Sequence, residues 1–512
     1  MLVTILILCC VCLLSACATS HPELPAGYSE CDTIPTLLPD YTDVVIPVNI
    51  APLNFRIADE SVEACVAEVT FAGGKQTYGY GNKVLFEVQE WCEMLQKSVG
   101  QKLSVQLYTC KGNQWSRHPA FAIEVVGDSI DPYVVYRSIP PSYSTYEHLT
   151  LNQRCIENFE DRVIYDNKTL DEPTQGHCVN CHAFQNYRTE RMQFHVRAEF
   201  AGTVIYDQGK LEKVETKSDR TISAGVYPAW HPTLDLVAYS TNMTFQNFHT
   251  QYIGKVEVQD SQGDIMVYDV KQHKIIPVSM ETDKRAAFPT WSPDGKWLYY
   301  NAAPFVYEDS VAIAESNNPR VTRQHEANAR YQEVHYNVLR RSFDAETMTF
   351  GPAEMVLDVA QKERSATVPR ISPDGKYLLT SIGNYGCFHI WHPESDLYAT
   401  QLDSVIAHTD TGGVKYTYPL TAANSDKSEG YHNWSSNGRW ILVASRRYDN
   451  NYSRLYFAYF DREGAAHKAF ELPQQDPDFE AINLRSYNVP EFTVEPVRVS
   501  ASDLAKVIGT DK

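Results

Sequence analysis

Apolar and polar residues alternate with a period of two through much of this chain, in short runs. Between Tyr41 and about Arg137 the runs include Val44-Val45-Ile46-Pro47-Val48, Cys65-Val66-Ala67-Glu68-Val69-Thr70-Phe71, Leu103-Ser104-Val105-Gln106-Leu107-Tyr108 and Ala120-Phe121-Ala122-Ile123-Glu124-Val125. Successive side chains of a strand face opposite ways, so this period marks half-buried strands, and Gly, Pro and Asn separate them as turns do. Residues 41–137 therefore read as an antiparallel β-sandwich, with a structural or adhesive role and no catalytic signature. The pattern fades over 138–195, which reads as a connector in which Asn152 to Asp161 makes a helical turn or two.

From Val196 the text repeats. Tyr227-Pro228-Ala229-Trp230-His231-Pro232, Phe288-Pro289-Thr290-Trp291-Ser292-Pro293-Asp294-Gly295, Val368-Pro369-Arg370-Ile371-Ser372-Pro373-Asp374-Gly375 and Tyr431-His432-Asn433-Trp434-Ser435-Ser436-Asn437-Gly438 align, and each leads into an apolar strand. Asp-Gly or Asn-Gly between two such runs is a hairpin signal, because both residues accept positive φ. Trp230, Trp291, Ile371 and Trp434 are spaced by 61, 80 and 63 residues. One propeller blade takes ~40–45 residues, so each repeat holds an inserted loop. A lone four-stranded sheet cannot bury both faces, whereas radial stacking of such sheets does. The chain is thus expected to be all-β, with a β-propeller over 196–500 that has room for five to seven blades, six being expected. Strands around Thr203–Tyr206 and Phe492–Val499 would help close the ring, and 501–512 would form a tail.

Composition sharpens this picture little: 32 Tyr and 20 Phe favour strands. The net charge of −19 argues against nucleic acid as a partner, since that needs clustered Lys and Arg. The first residues change more. Residues 2–14 are almost wholly apolar, too short to span a bilayer and the length of a signal-peptide core. Leu14-Ser15-Ala16-Cys17 follows and resembles the bacterial lipobox, although no Lys or Arg precedes the apolar run. On that resemblance residues 1–16 are a signal peptide, Cys17 is acylated, and 17–40 tether the chain to the membrane. The protein would then be lipid-anchored in the envelope of a Gram-negative bacterium, where disulfides are permitted.

Cys178-Val179-Asn180-Cys181-His182 is the one run where two cysteines and a histidine fall into a spacing with a defined chemistry. Cys-x-x-Cys-His reads as attachment of a c-type haem, with thioether bonds from Cys178 and Cys181 and His182 as axial ligand. A disulfide or dithiol, or half of a zinc site, are the competing readings. Elsewhere, His389 and His392 beside Glu394 and Asp396 form a polar loop that has the side chains for a metal. Propeller loops converge on a central channel, so Arg370, His389, His392, His432, Arg446 and Arg447 are candidates for a polar face pocket, the arginines as clamps for carboxylate or phosphate. Ser292-Pro293-Asp294-Gly295 differs from the sialidase Asp-box by one residue, and that box is itself a structural turn. No Gly-x-Ser-x-Gly elbow, phosphate-binding loop or dinucleotide fingerprint is present, which argues against enzymes of those classes.

The Trp-Ser-Pro-Asp-Gly-Lys repeats resemble those of TolB-like β-propellers over roughly the last 300 residues. More of the chain resembles lipoproteins of Bacteroidetes that carry an N-terminal β-domain, a Cys-Val-Asn-Cys-His element and this propeller in the same order. Asn49-Ile50-Ala51-Pro52-Leu53-Asn54-Phe55, Phe194-His195-Val196-Arg197 and Ile390-Trp391-His392-Pro393-Glu394-Ser395-Asp396-Leu397-Tyr398 carry that likeness. It implies an envelope lipoprotein and makes Met192 or His195 the expected sixth iron ligand. The leading expectation is one covalent haem c held between sandwich and propeller for electron transfer or redox sensing. The alternative is a non-enzymatic scaffold that binds a protein or glycan at the propeller face, with Cys178 and Cys181 as a disulfide. A hydrolase built on His432 and Arg446 is a third.

Overall fold

The computed structural model describes residues 21–141, 148–170, 177–248, 256–278, 284–308, 310–408 and 412–510. The expected signal peptide and Cys17 lie outside these residues. The chain divides into two compact units.

One unit takes the residues up to Asp43, Pro52–Val125 and Gln474–Asp478. Strands Ala64–Phe71, Gly74–Tyr78, Gln101–Lys111, Gln114–Arg117 and Phe121–Val126 form an antiparallel ladder, and Ser29–Glu30 runs parallel to its edge. A smaller sheet joins Leu37–Leu38, Phe55–Ile57 and Lys83–Val84. The period-two reading missed one element, the helix Val88–Lys97. Its buried Trp91, Met94 and Leu95 fall at helical spacing, and the Glu87 side chain caps it by accepting from the Glu90 amide at 2.9 Å. Gln474–Asp478 joins this unit through ion pairs from Arg56 to Asp478 at 2.5 Å and from Lys83 to Asp476 at 2.7 Å.

The other unit is the β-propeller. Among the described residues it contains six four-stranded antiparallel sheets in succession. Their innermost strands are His177–Gln185, Val226–Trp230, Lys284–Trp291, Ser365–Ile371, Glu429–Trp434 and Ser486–Thr493. Each touches the next in that order, and Ser486–Thr493 touches His177–Gln185, which closes the cycle. The closing sheet joins Ser486–Thr493 to Tyr133–Ile139, Thr150–Cys155 and Asp161–Asp166. A strand from the chain's end thereby completes a sheet begun by residues far upstream.

This corrects two expectations. The ring is closed by Ser486–Thr493 on Tyr133–Ile139, while Thr203–Tyr206 lies within the third strand of an ordinary sheet, Gly202–Asp207. Residues 138–195 are no connector either: Asn152 lies in a strand, and Cys178 to His182 lie in an innermost one. The cause is local. Polar Asn152, Gln153, Arg154, Gln193 and His195 interrupt the apolar alternation, yet they pair within the sheets.

Between neighbouring sheets the core is aromatic and branched, as in the cluster of Leu379, Trp434, Ile441, Val443, Tyr456 and Phe460. The Ser-Pro-Asp-Gly turns behave as their sequence predicts. Ser292 Oγ donates to Asp294 Oδ1 at 2.5 Å and accepts from the Trp297 amide at 3.0 Å, and Gly295 takes φ +70°. The Ser372 turn reproduces this at 2.6 and 2.9 Å.

Candidate functional site: the mouth of the propeller

Four innermost strands share one irregularity: the ladder slips by a residue, and the residue at the slip has positive φ. These residues are Cys181, Tyr227, Phe288 and Val368, with φ of 44°, 50°, 52° and 52°. The ladder also slips between Glu429 and His432 and between Asn488 and Glu491. Aligned on the sequence repeat, six tetrads appear: Cys181-His182-Ala183-Phe184, Tyr227-Pro228-Ala229-Trp230, Phe288-Pro289-Thr290-Trp291, Val368-Pro369-Arg370-Ile371, Tyr431-His432-Asn433-Trp434 and Val489-Pro490-Glu491-Phe492, the slip ending one residue earlier in the fifth, at His432. Half of the Cys-x-x-Cys-His motif is therefore a propeller repeat, with His182 where four of the others have proline.

The third residues of the tetrads, Ala183, Ala229, Thr290, Arg370, Asn433 and Glu491, all line one cavity of about 350 Å³ at the end of the innermost strands. It is two-sided. Three consecutive strands contribute small side chains, and the next three contribute a guanidinium, a carboxamide and a carboxyl. Arg370 Nη1 donates to its own neighbour's carbonyl, Pro369 O, at 3.1 Å. Arg370 and Glu491 act on each other through space with no ion pair between them among the described residues. Burial pushes the Glu491 carboxyl up to about 8, against the pull of Arg370. Beneath this ring the channel is filled: Tyr227 and Phe288 lie 4.4 Å apart by centroid, Phe288 and Phe388 5.8 Å, Phe288 and Tyr431 6.3 Å. The mouth is a cup with an aromatic floor.

Of the face residues expected from sequence, Arg370 alone lines this cup. His432 is one place earlier in its tetrad and faces backbone, with Nδ1 3.0 Å from Gly430 O; burial lowers it to about 4. His389, His392, Arg446 and Arg447 sit toward the opposite strand ends. His392 Nε2 pairs with Glu257 at 3.1 Å, Arg447 with Glu429 at 2.8 Å, and the Arg446 guanidinium lies 3.3 Å from the centre of the Trp391 ring. Polar groups in loops folded back into the ring instead of converging on its axis. Among the described residues no cluster of three or more His, Cys, Asp or Glu is placed to hold a metal, the His389 loop included. Sequence reading missed Glu491 and Asn433, although Val489-Pro490-Glu491-Phe492 carries the same apolar-Pro-x-apolar signal as the recognised repeats.

The residues of the haem motif do not fit a porphyrin. A c-type haem needs both thiols at its edge and an open face above the histidine ring. His182 is 5% exposed and Cys181 7%, while Cys178 is half-buried, so the two thiols meet different surroundings. Among the described residues neither His182 ring nitrogen has a hydrogen-bond partner; Phe184 lies edge-on at 6.1 Å, and burial, with Arg137 nearby, lowers the His182 pKa to about 3. Asn180 donates to Cys178 Sγ at 3.0 Å and accepts from Arg137. Cys178, Cys181 and His182 do not line the cup. Met192, an expected sixth ligand, is packed with Val179 and Phe194 in the apolar core, and His195 lies opposite Asn180 with its Nδ1 3.4 Å from Thr203 Oγ1. The thiols of Cys178 and Cys181 are not joined as a disulfide.

No family profile and no curated protein matches the chain. Among solved structures, it is similar to TolB from Acinetobacter baumannii at 12% identity and a TM-score of 0.40, covering 75% of this chain and 85% of that one. Prolyl oligopeptidase B from Galerina marginata matches at 10% identity and a TM-score of 0.34, over 72% of this chain and 42% of that one. The Dos1 propeller matches at 10% identity and a TM-score of 0.28, over 58% of this chain and 59% of that one.

Proposed function

We propose that this protein is a non-enzymatic binding scaffold of the cell envelope, a six-bladed propeller whose mouth receives a polar segment of a protein partner. The observation that carries this reading is the two-sided ring: Ala183, Ala229 and Thr290 leave space on one side of the cavity, and Arg370, Asn433 and Glu491 line the other with a guanidinium, a carboxamide and a carboxyl. Protein sites of this kind pair an apolar or small-residue wall with a few polar groups that fix orientation. A half-buried guanidinium and carboxyl on facing strands, with no ion pair between them, favour a ligand offering both an acceptor and a donor. Catalysis is not part of the proposal, since the cup holds no nucleophile paired with a base. Anchoring through Cys17 is supported by the apolar run at 2–14 and the lipobox-like Leu14-Ser15-Ala16-Cys17. The covalent haem is left out, because His182 lacks the open face that iron requires.

Capture of envelope proteins on the purified chain tests this. Ala229→Trp fills the cup from its small side without touching Arg370 or Glu491, and Arg370→Ala removes the cation. A partner bound by the native chain should be lost with either change and kept with Arg446→Ala, which lies away from the cup. Capture that survives Ala229→Trp would place the interaction elsewhere.

A further inference from the structure

A second cavity, of about 310 Å³, lies against the closing sheet and shares no lining residue with the cup. In the strands Tyr133–Ile139 and Thr150–Cys155, Val135 and Leu151 turn to the apolar core, whereas Tyr136, Ser138, Thr150 and Asn152 line the cavity. The ladder sets Tyr487 beside Ser138, Ser138 beside Thr150 and Thr150 beside Asp166. Cross-strand partners share a face, so one polar row crosses all four strands. Sheets that stack radially bury both faces, and a polar row there calls for something polar to fill the space beside it.

Part of this polar lining is committed within the protein. Asp161 accepts from the Asn152 amide at 3.0 Å and from the Tyr136 hydroxyl. Arg485 donates to Ser138 Oγ, Ser138 O and His148 O at 2.6, 3.0 and 2.6 Å through Nε and Nη2. Those bonds fix the guanidinium plane, and its Nη1 has no partner among the described residues. Asp166 accepts the Lys168 amide at 2.9 Å, while the Lys168 ammonium makes no ion pair among the described residues.

Among the described residues the carboxylates of Asp161 and Asp166 balance the cations of Lys168 and Arg485, so the lining favours no ion of either sign. Hydroxyls, each both donor and acceptor, match such mixed walls. The rim is apolar. Phe479 lines the cavity and is 42% exposed, and Val163, beside Asn152 in the ladder, is exposed too. A sugar ring has both features, hydroxyls at its edge and a face of C–H groups. We infer that this chamber binds the end of an uncharged glycan, about two rings long by volume, with hydroxyls on Asp166, Arg485 and Lys168 and a C–H face on Phe479. The site is separate from the cup and from whatever binds there.

Saturation-transfer NMR on the purified chain tests this with cellobiose, maltose, lactose and diacetylchitobiose, and with glycine and glutamate as charged comparators. At least one disaccharide should receive saturation, strongest on the C–H protons of one ring face, and bind with a Kd of about 1 mM. Phe479→Ala removes the apolar edge at an exposed position and should weaken that binding about tenfold. Thr150→Trp fills the chamber and should abolish it, and Phe479→Ala keeps the test decisive if Thr150→Trp fails to fold. No transfer to any disaccharide, transfer to glycine or glutamate alone, or a signal indifferent to both substitutions would overturn the inference.

Discussion

The strand bearing Cys178 and the strand bearing Trp434 occupy equivalent places in the ring, with His182 and His432 at the same position of their tetrads. They read very differently. The Trp434 strand is followed by Ser435, whose Oγ donates to Asn437 at 2.7 Å and accepts from the Trp440 amide at 2.9 Å, a turn that announces itself in sequence. The Cys178 strand turns through Asn186 and Tyr187, both with positive φ and neither in a Ser-Pro-Asp-Gly setting. Its only conspicuous letters are those that also spell haem attachment. A spacing motif thus has meaning only in a backbone that can use it. In this strand Cys178 is half-buried and Cys181 buried, so the two thiols do not share surroundings.

Five substitutions sharpen or break this comparison. The largest effect belongs to Trp434→Ala. Trp434 is fully buried between sheets, so its truncation should cost about 3–5 kcal/mol in urea unfolding, whereas Phe184→Ala at the matching but half-buried position should cost about half as much. Equal costs would undo the claim that the two strands differ in how firmly they anchor the ring.

Next is His182→Pro, which gives this tetrad the form of its neighbours. His182 has a pKa depressed to about 3, below the ordinary 6.5. Its stabilising neutral form is therefore fully present above pH 6.5 and is lost as pH falls toward 3, costing about 2 kcal/mol by pH 5. The proline variant should fold and should lose less stability than the native chain between pH 7 and 5. An unfolded variant would mean that the tetrads are not interchangeable.

A smaller effect of opposite sign is expected at the mouth. The Glu491 carboxyl is raised to about 8, so its contribution is complete below about pH 4.5 and is lost as pH rises through 8. Glu491→Gln should make the chain about 1–2 kcal/mol more stable than the native form at pH 8.5 and leave it unchanged at pH 4.5, read by denaturant midpoints at both pH values. Gly375→Ala should have the smallest effect. Its φ of +75° disfavours a side chain although open space surrounds it, and a loss of about 1 kcal/mol is expected.

The propeller was legible because Asp-Gly and Asn-Gly turns between apolar strands leave little choice of conformation. The cup was half legible: Arg370 was named, but Glu491 and Asn433 were hidden because side chains meet across six strands that the sequence lists far apart. Arg446, Arg447, His389 and His392 show the converse. Their charge made them prominent, yet each found a partner inside the fold. The Cys178 run was the most prominent letter string in the chain, and burial of His182 is what no string could convey.

One measurement bears most directly on the claim that this run is a propeller strand. The chain, made in cells that mature c-type cytochromes and purified, is examined by visible absorption and by digestion to the peptide containing Cys178 and Cys181. The structure predicts a colourless protein whose two thiols carry no porphyrin. A Soret band that survives acid denaturation, with that peptide bearing the porphyrin, would contradict it.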